Sequence, residues 1–265
     1  MMKLFDSHAH YFDARFFSDE CPGGGDKLLS CLFSEGEVEY ILNVGTDVPT
    51  SLAAVAQATR YAGMYAAAGV HPSDAMRYAD MDGELTKLET ILRAKDNKVV
   101  ALGEIGLDYH YPETDKKRQA DWFFAQLELA RKLDIPVIIH DREAHGDCFD
   151  AICATKGVRG VFHSYSGSEE MAKDLIRRGF YISFSGTITF KNATKIAAVA
   201  VQMPKDRVLI ETDAPYLAPH PFRGQLNHSG FVRYTAEKLG ELWGVSAEEA
   251  AAITNENARR LFFGK

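Results

Sequence analysis

No run of about 18 apolar residues occurs in the sequence, and no apolar core follows the opening MMKLFDSHAH. Neither a membrane-spanning helix nor a secretory leader is read from it, and the expectation is a cytoplasmic protein. Cysteine is scarce: Cys21, Cys31, Cys148 and Cys153 are the four, and none forms a C-x-x-C pair. Reduced thiols are expected, not a disulfide framework. Positive charge is also short, with 30 Lys and Arg against 37 Asp and Glu, a formal net charge of −7. That excludes an extended, non-specific nucleic-acid coat, whose binding depends on neutralising many phosphates. A nuclease is not excluded, because metal ions and a few local cations can handle a single phosphate. Finally, no G-x-S-x-G motif supplies a serine nucleophile.

What is present is a large core: 46% of the 265 residues are hydrophobic. Eight short strand-like runs stand at residues 3–6, 40–44, 65–70, 99–103, 137–139, 160–162, 180–183 and 207–211. Between them, residues 50–62, 85–95, 116–133, 143–156, 168–178 and 193–202 carry helical spacing. Ser168 and Ser246 are placed to cap helices, the second in a capping box with Glu249 that opens a last helix through Leu261. Repeated strand–helix alternation predicts a parallel sheet, and eight units are the number that closes a (β/α)8 barrel. An open doubly wound sheet is the rival, but the Gly-rich phosphate turn it would carry after the first strand is missing. No linker or composition break divides the chain, so residues 1–265 are expected to form a single α/β barrel domain. Two long connections, residues 11–25 and 214–229, leave the C-terminal ends of the first and eighth strands as candidate substrate walls.

Metal-type ligands gather at those same strand ends. His8 and His10 form a His-x-His pair whose side chains point the same way in extended backbone. Glu104 follows VVALG, His140 follows PVII, His163 follows GVF, and Asp213 follows VLIET. Each alone has a plain structural reading, as a solvated or hydrogen-bonded residue or a carboxylate paired with arginine. Together, at one end of successive strands, four imidazoles and two carboxylates point to a metal site. The absence of thiolate suits Zn²⁺, Mn²⁺, Fe²⁺ or Co²⁺ better than Ca²⁺. Six ligands exceed one tetrahedral shell, so two divalent ions sharing a carboxylate are expected.

FDSHAH, AAGVHP, LGEIGLDYHY, IIHDREAH, FHSYSG and IETDAPYL resemble, in order and spacing, the motifs of the TatD-type metal-dependent deoxyribonucleases. That family is one of the amidohydrolase-like barrels, and the resemblance runs from Phe5 to the end of the chain. It implies one ion on His8, His10, Glu104 and Asp213, and a second on Glu104, His140 and His163, with Glu104 as the bridge. The two divalent ions it implies are Zn, Mg or Mn. Asp213 and Glu104 are thereby the catalytic carboxylates, Asp213 orienting the attacking water or taking its proton. The implied reaction is hydrolysis of DNA phosphodiester bonds, as a 3′-to-5′ exonuclease on single strands, with DNA as the partner and no membrane or obligate protein partner.

His71, in GVHP, matches a family position near the bound phosphate, and Arg223 matches an RG element whose guanidinium can fork onto phosphate oxygens. Asn227 fits the asparagine that follows that arginine. Tyr109 is a candidate for bordering a base, with a core role as the equal alternative. Arg142 and His145 either support His140 and reach substrate, or simply begin a solvated helix. One departure stands out: Gln225 and Ser229 replace the lysine and proline common in that loop, which removes a phosphate contact. Two other functions are compatible with the ligand set. One is an amidohydrolase acting on an ester or amide, such as an aminoacyl-tRNA deacylase; the other is a non-catalytic metal-binding scaffold. A glutamate in place of a carboxylated lysine at the fourth strand favours the nuclease branch.

Overall fold

Runs such as Val137, Ile138 and Ile139 have no polar side to give to water, so they are stable only in a sheet covered on both faces. The computed structural model, which describes residues 2–264, builds that sheet. Its strands are β1 (Leu4–Ala9), β2 (Val38–Val44), β3 (Met64–Ala68), β4 (Val99–Asp108), β5 (Val137–Arg142), β6 (Gly160–Phe162), β7 (Tyr181–Phe184) and β8 (Val208–Ile210). All seven neighbouring pairs are parallel and lie in sequential order. The helices are α1 (Gly24–Glu35), α2 (Val48–Ala58), α3 (Met81–Arg93), α4 (Lys116–Leu133), α5 (His145–Ala154), α6 (Glu169–Arg177), α7 (Thr194–Gln202), α8 (Val232–Trp243) and α9 (Ala247–Phe263). The architecture is a (β/α)8 barrel, as the alternation predicts. None of the helices described is long and apolar enough to cross a membrane.

Closure joins the first strand to the segment after the last. The Asp213 amide donates to the His8 carbonyl at 2.9 Å, and the His10 amide donates to the Ala214 carbonyl at 2.7 Å. This seam brings sequence-distant ligand candidates together. Below it, Phe5, Leu42, Ala101, Ile138, Val161 and Leu209, one from each of six strands, belong to one buried apolar cluster. Phe262 and Phe263 of α9 lie 6.0 and 5.7 Å from the Phe5 ring and cover that end of the barrel. Polar chemistry is left to the opposite, C-terminal end.

Several boundaries differ from expectation. β4 continues past Gly103 to Asp108, and β5 past Ile139 to Arg142, so Glu104, Asp108 and His140 lie within strands. Their polar side chains end the apolar run but not the backbone ladder, because they find partners in one another. The helices α1 and α8 are additional to those read from spacing. Gly23 and Gly24, which look like a flexible run, instead start α1 with φ of 88° and 82°, a conformation suited to glycine. Both serines cap: Ser168 accepts from the Met171 amide and Ser246 from the Glu249 amide, the second as a one-way N-cap instead of the expected capping box.

Candidate metal centre

The side chains at the C-terminal end of the barrel line a cleft of about 360 Å³. Among the described residues, three groups in or directly beneath it could hold a metal ion: His8, His10 and Asp213; His8, Glu104 and His163; and His71, Glu104 and His140. Glu104, on β4, is the centre of the arrangement. Its Oε2 stands 3.4 Å from His8 Nε2 and 3.7 Å from His10 Nε2. Its Oε1 faces the other way, 2.8 Å from both His140 Nδ1 and His163 Nε2. Asp213 completes the first side, with Oδ1 3.4 Å from His10 Nε2 and 3.8 Å from His8 Nε2. Tetrahedral ligands on a zinc-sized ion, with bonds of about 2.0–2.1 Å, are separated by roughly 3.3 Å. The 3.4 Å contacts of His8 with Glu104 and of His10 with Asp213 are near that separation, whereas the 2.8 Å contacts of Glu104 Oε1 with His140 and His163 are hydrogen-bond distances.

Proton placement supports the same fit. His10 Nδ1 lies 2.7 Å from the Val44 carbonyl, which can only accept, so that nitrogen carries the proton and Nε2 offers a lone pair to the site. His163 Nδ1 lies 3.1 Å from Glu211 Oε1, and His140 Nε2 lies 3.2 Å from Asp108 Oδ2. Each of these rings therefore donates outward to a carboxylate and turns its other nitrogen inward, the arrangement that orients metal-binding histidines. His71 is opposite. Its Nδ1 accepts from the Ser73 amide at 3.1 Å, so a neutral ring presents an N–H, not a lone pair, 3.6 Å from Glu104 Oε1. The proximity group containing His71 is thus better filled by a substrate oxygen than by His71 as a ligand.

The electrostatics are those of a dense buried cluster. Burial alone would raise the Glu104 carboxyl, but His163, His71 and His8 overcome it and hold it well below the usual range. Burial would lower His163, yet Glu104 and Glu211 hold it well above its ordinary value, so a cation held by this ring would have to displace the inward proton that faces Glu104. His71 is pushed down to about 3 by burial, and His8 is lowered by burial and by His163. Asp13, Asp74, Glu104, Asp108 and Asp213 line the cleft with Arg142 as the one arginine or lysine among its lining residues. Without added positive charge, an anionic substrate would meet mainly carboxylates there.

The remaining candidates separate. His71 and Arg142 line the cleft, whereas His145 pairs with Asp141 at 2.8 Å outside it. Tyr109 is held by a hydrogen bond to Asp147 at 2.7 Å, with Lys116 Nζ 4.1 Å over its ring. The tyrosines that line the cleft are Tyr111 and Tyr216. Arg223 lies in an adjoining groove. Asn227 is buried and spends its amide on backbone, donating to the Thr212 and Tyr216 carbonyls at 2.8 and 2.6 Å and accepting from the His228 amide. Sequence reading also passes over Asp108, Glu211, Tyr111 and Tyr216. Asp108 and Glu211 sit inside the motifs LGEIGLDYHY and IETDAPYL, where polar residues beside the ligands are the available signal.

The match to a family model extends over residues 5–263 and is described as TatD related DNase. An uncharacterized metal-dependent hydrolase, YabD of Bacillus subtilis strain 168, is 40% identical over 261 residues, spanning 98% of each chain. A second, YcfH of Escherichia coli strain K12, is 37% identical over 263 residues, covering 98% of this chain and 96% of its own length. Among solved structures, the TatD homologue YjjV of Escherichia coli K12 superposes with a TM-score of 0.88 at 31% identity, covering 98% of both chains.

Proposed function

The chain belongs to the TatD-related DNase family of metal-dependent hydrolases, and from that premise we propose that it hydrolyses DNA phosphodiester bonds with two divalent cations, as a 3′-to-5′ exonuclease on single strands. The observation that carries the two-cation reading is the division of Glu104: one oxygen faces His8 and His10, the other His140 and His163. His8, His10, Glu104 and Asp213 would hold one ion; Glu104, His140 and His163 the other. When bound, such a pair supplies Lewis acidity at a phosphoryl oxygen and lowers the pKa of a coordinated water.

The chain's own residues do the rest. Asp213, held below the usual carboxylate range by His10 and His163 against the effect of burial, stays ionised and is placed to take the proton of the attacking water. The His71 Nε2–H faces the cleft as a donor for a phosphate oxygen, and its pKa near 3 keeps the ring neutral in that role. Arg142 is the cation of the cleft wall, while Arg223 is available to phosphates just beyond it. For Asn227 the geometry supports positioning: it ties the 212–228 segment to itself and so holds Asp213 and Tyr216 in place. Tyr109 supports the loop that presents Tyr111.

The test is release of mononucleotides from a single-stranded oligodeoxynucleotide with Mg²⁺ or Mn²⁺, with and without chelator, beside a carboxylic ester and an aminoacyl-tRNA. Glu104→Ala is expected to reduce turnover by at least about a thousandfold and to lower bound metal. Full activity of that variant in a metal-replete assay would refute the shared-carboxylate assignment.

A further inference from the structure

Tyr216 is a wall shared by two depressions. On one side is the metal cleft; on the other a groove of about 430 Å³ whose lining includes Arg15, Phe190, Tyr216, Arg223 and Gln225, with Glu20 as its one carboxylate. Two arginine–aromatic stacks line this groove. The Arg15 guanidinium lies 4.2 Å over the Tyr216 ring, and the Arg223 guanidinium 4.2 Å over Phe190. Arg15 is fixed by a two-pronged hydrogen bond to Asp13, at 3.0 Å on each prong. Arg223 is exposed and makes no ion pair among the described residues. Tyr216 is 45% exposed despite its size. Planar apolar faces backed by cations, open to solvent and continuous with an anion-hydrolysing cleft, are what unpaired bases and their phosphates require.

The other flank of the cleft is less suited. Arg142 does stand over Tyr111, at 5.8 Å. However, Glu143 pairs with the neighbouring His110, Asp147 accepts from Tyr109, and Asp108 lies at the base, so carboxylates crowd that exit. Like charge there opposes a phosphate backbone.

We infer that the groove between Arg15 and Arg223 binds the nucleotides adjoining the cleaved bond of a single-stranded nucleic acid. One base stacks on Tyr216, the next on the Arg223 guanidinium backed by Phe190, and the intervening phosphates meet the two arginines. A base-paired duplex keeps its base faces covered and gains nothing from these surfaces. The assignment rests on the nuclease reading, single-strand preference included, and adds to it the path of the strand.

The experiment measures kcat/KM on oligothymidylates of two to eight nucleotides for the wild type, Phe190→Ala and Arg223→Gln. It is paired with photo-cross-linking of a 4-thiothymidine oligomer and peptide mapping. Arg223→Gln alters an exposed side chain and so guards against a folding defect in Phe190→Ala. The wild type should gain with length over the first few nucleotides. Each variant should flatten that gain and lose about 5- to 100-fold on the longer oligomers, the range of one base–aromatic stack. Cross-links should fall on peptides holding Tyr216 or Phe190. Cleavage that is independent of length, or cross-links confined to the Tyr111 side, overturns the groove assignment while leaving the nuclease reading intact. If no oligonucleotide of any length is cut but the carboxylic ester or aminoacyl-tRNA is, the nuclease reading fails and the groove assignment falls with it.

Discussion

Histidine can bind a divalent cation only through an unprotonated nitrogen, so the groups that fix the other nitrogen matter almost as much as the ligands. In this centre Val44 fixes His10, Asp108 fixes His140, and Glu211 fixes His163. Glu211 also accepts from the Ser164 amide at 2.8 Å, which anchors it to the strand end that carries His163. Glu211→Gln is expected to weaken metal binding by roughly 10- to 100-fold, measured by competition with a chromophoric chelator. Unchanged affinity would show that His163 needs no outer carboxylate. Glu104, His140, His163 and Asp213 are legible in the sequence because each follows an apolar run, and His8 and His10 because they form a His-x-His pair. Their outer partners are not, since a carboxylate near a ligand has no spacing rule that distinguishes it from an ordinary polar strand end. Tyr109 and Tyr111 show the same limit: two residues apart, both suit a cleft edge, and only tertiary packing turns Tyr109 onto Asp147.

At the scale of elements, β4 and β5 carry Glu104 and His140, and they pass close to one another. Gly106 has φ of 144°, and a Cβ added there would lie 1.9 Å from the His140 carbonyl oxygen. Glycine is therefore required where β4 passes β5, between Glu104 and Asp108. Gly106→Ala should cost on the order of 3 kcal/mol of stability, read from urea melts, and should lower metal content because His140 must move. A variant as stable and as metal-rich as the wild type would contradict this packing. Strand existence was readable from the apolar runs, but strand ends were not, because Glu104, Asp108 and His140 look like the start of a loop. The α1 helix was hidden for a related reason. Its glycines signal flexibility by composition, yet in place they supply the left-handed turn that begins it.

For the whole molecule, eight apolar runs are enough to anticipate the barrel and the end of it at which the ligand-type residues gather. Counting could not show how the seam closes. The Asp213-to-His8 and His10-to-Ala214 hydrogen bonds join residues some two hundred positions apart and set the first ligand group in place. Net charge also acts at this scale. A chain of net charge −7 with a carboxylate-lined cleft has little general affinity for nucleic acid. The proposed activity must then draw its phosphate affinity from bound cations and the few arginines beside the cleft. The most direct measurement is a titration of the chelator-treated protein with Mn²⁺ while mononucleotide release from a single-stranded oligodeoxynucleotide is followed. The two-cation centre predicts no release without metal and full rate only as a second equivalent per chain is bound. Full rate at one equivalent, or release that chelation leaves untouched, would contradict it.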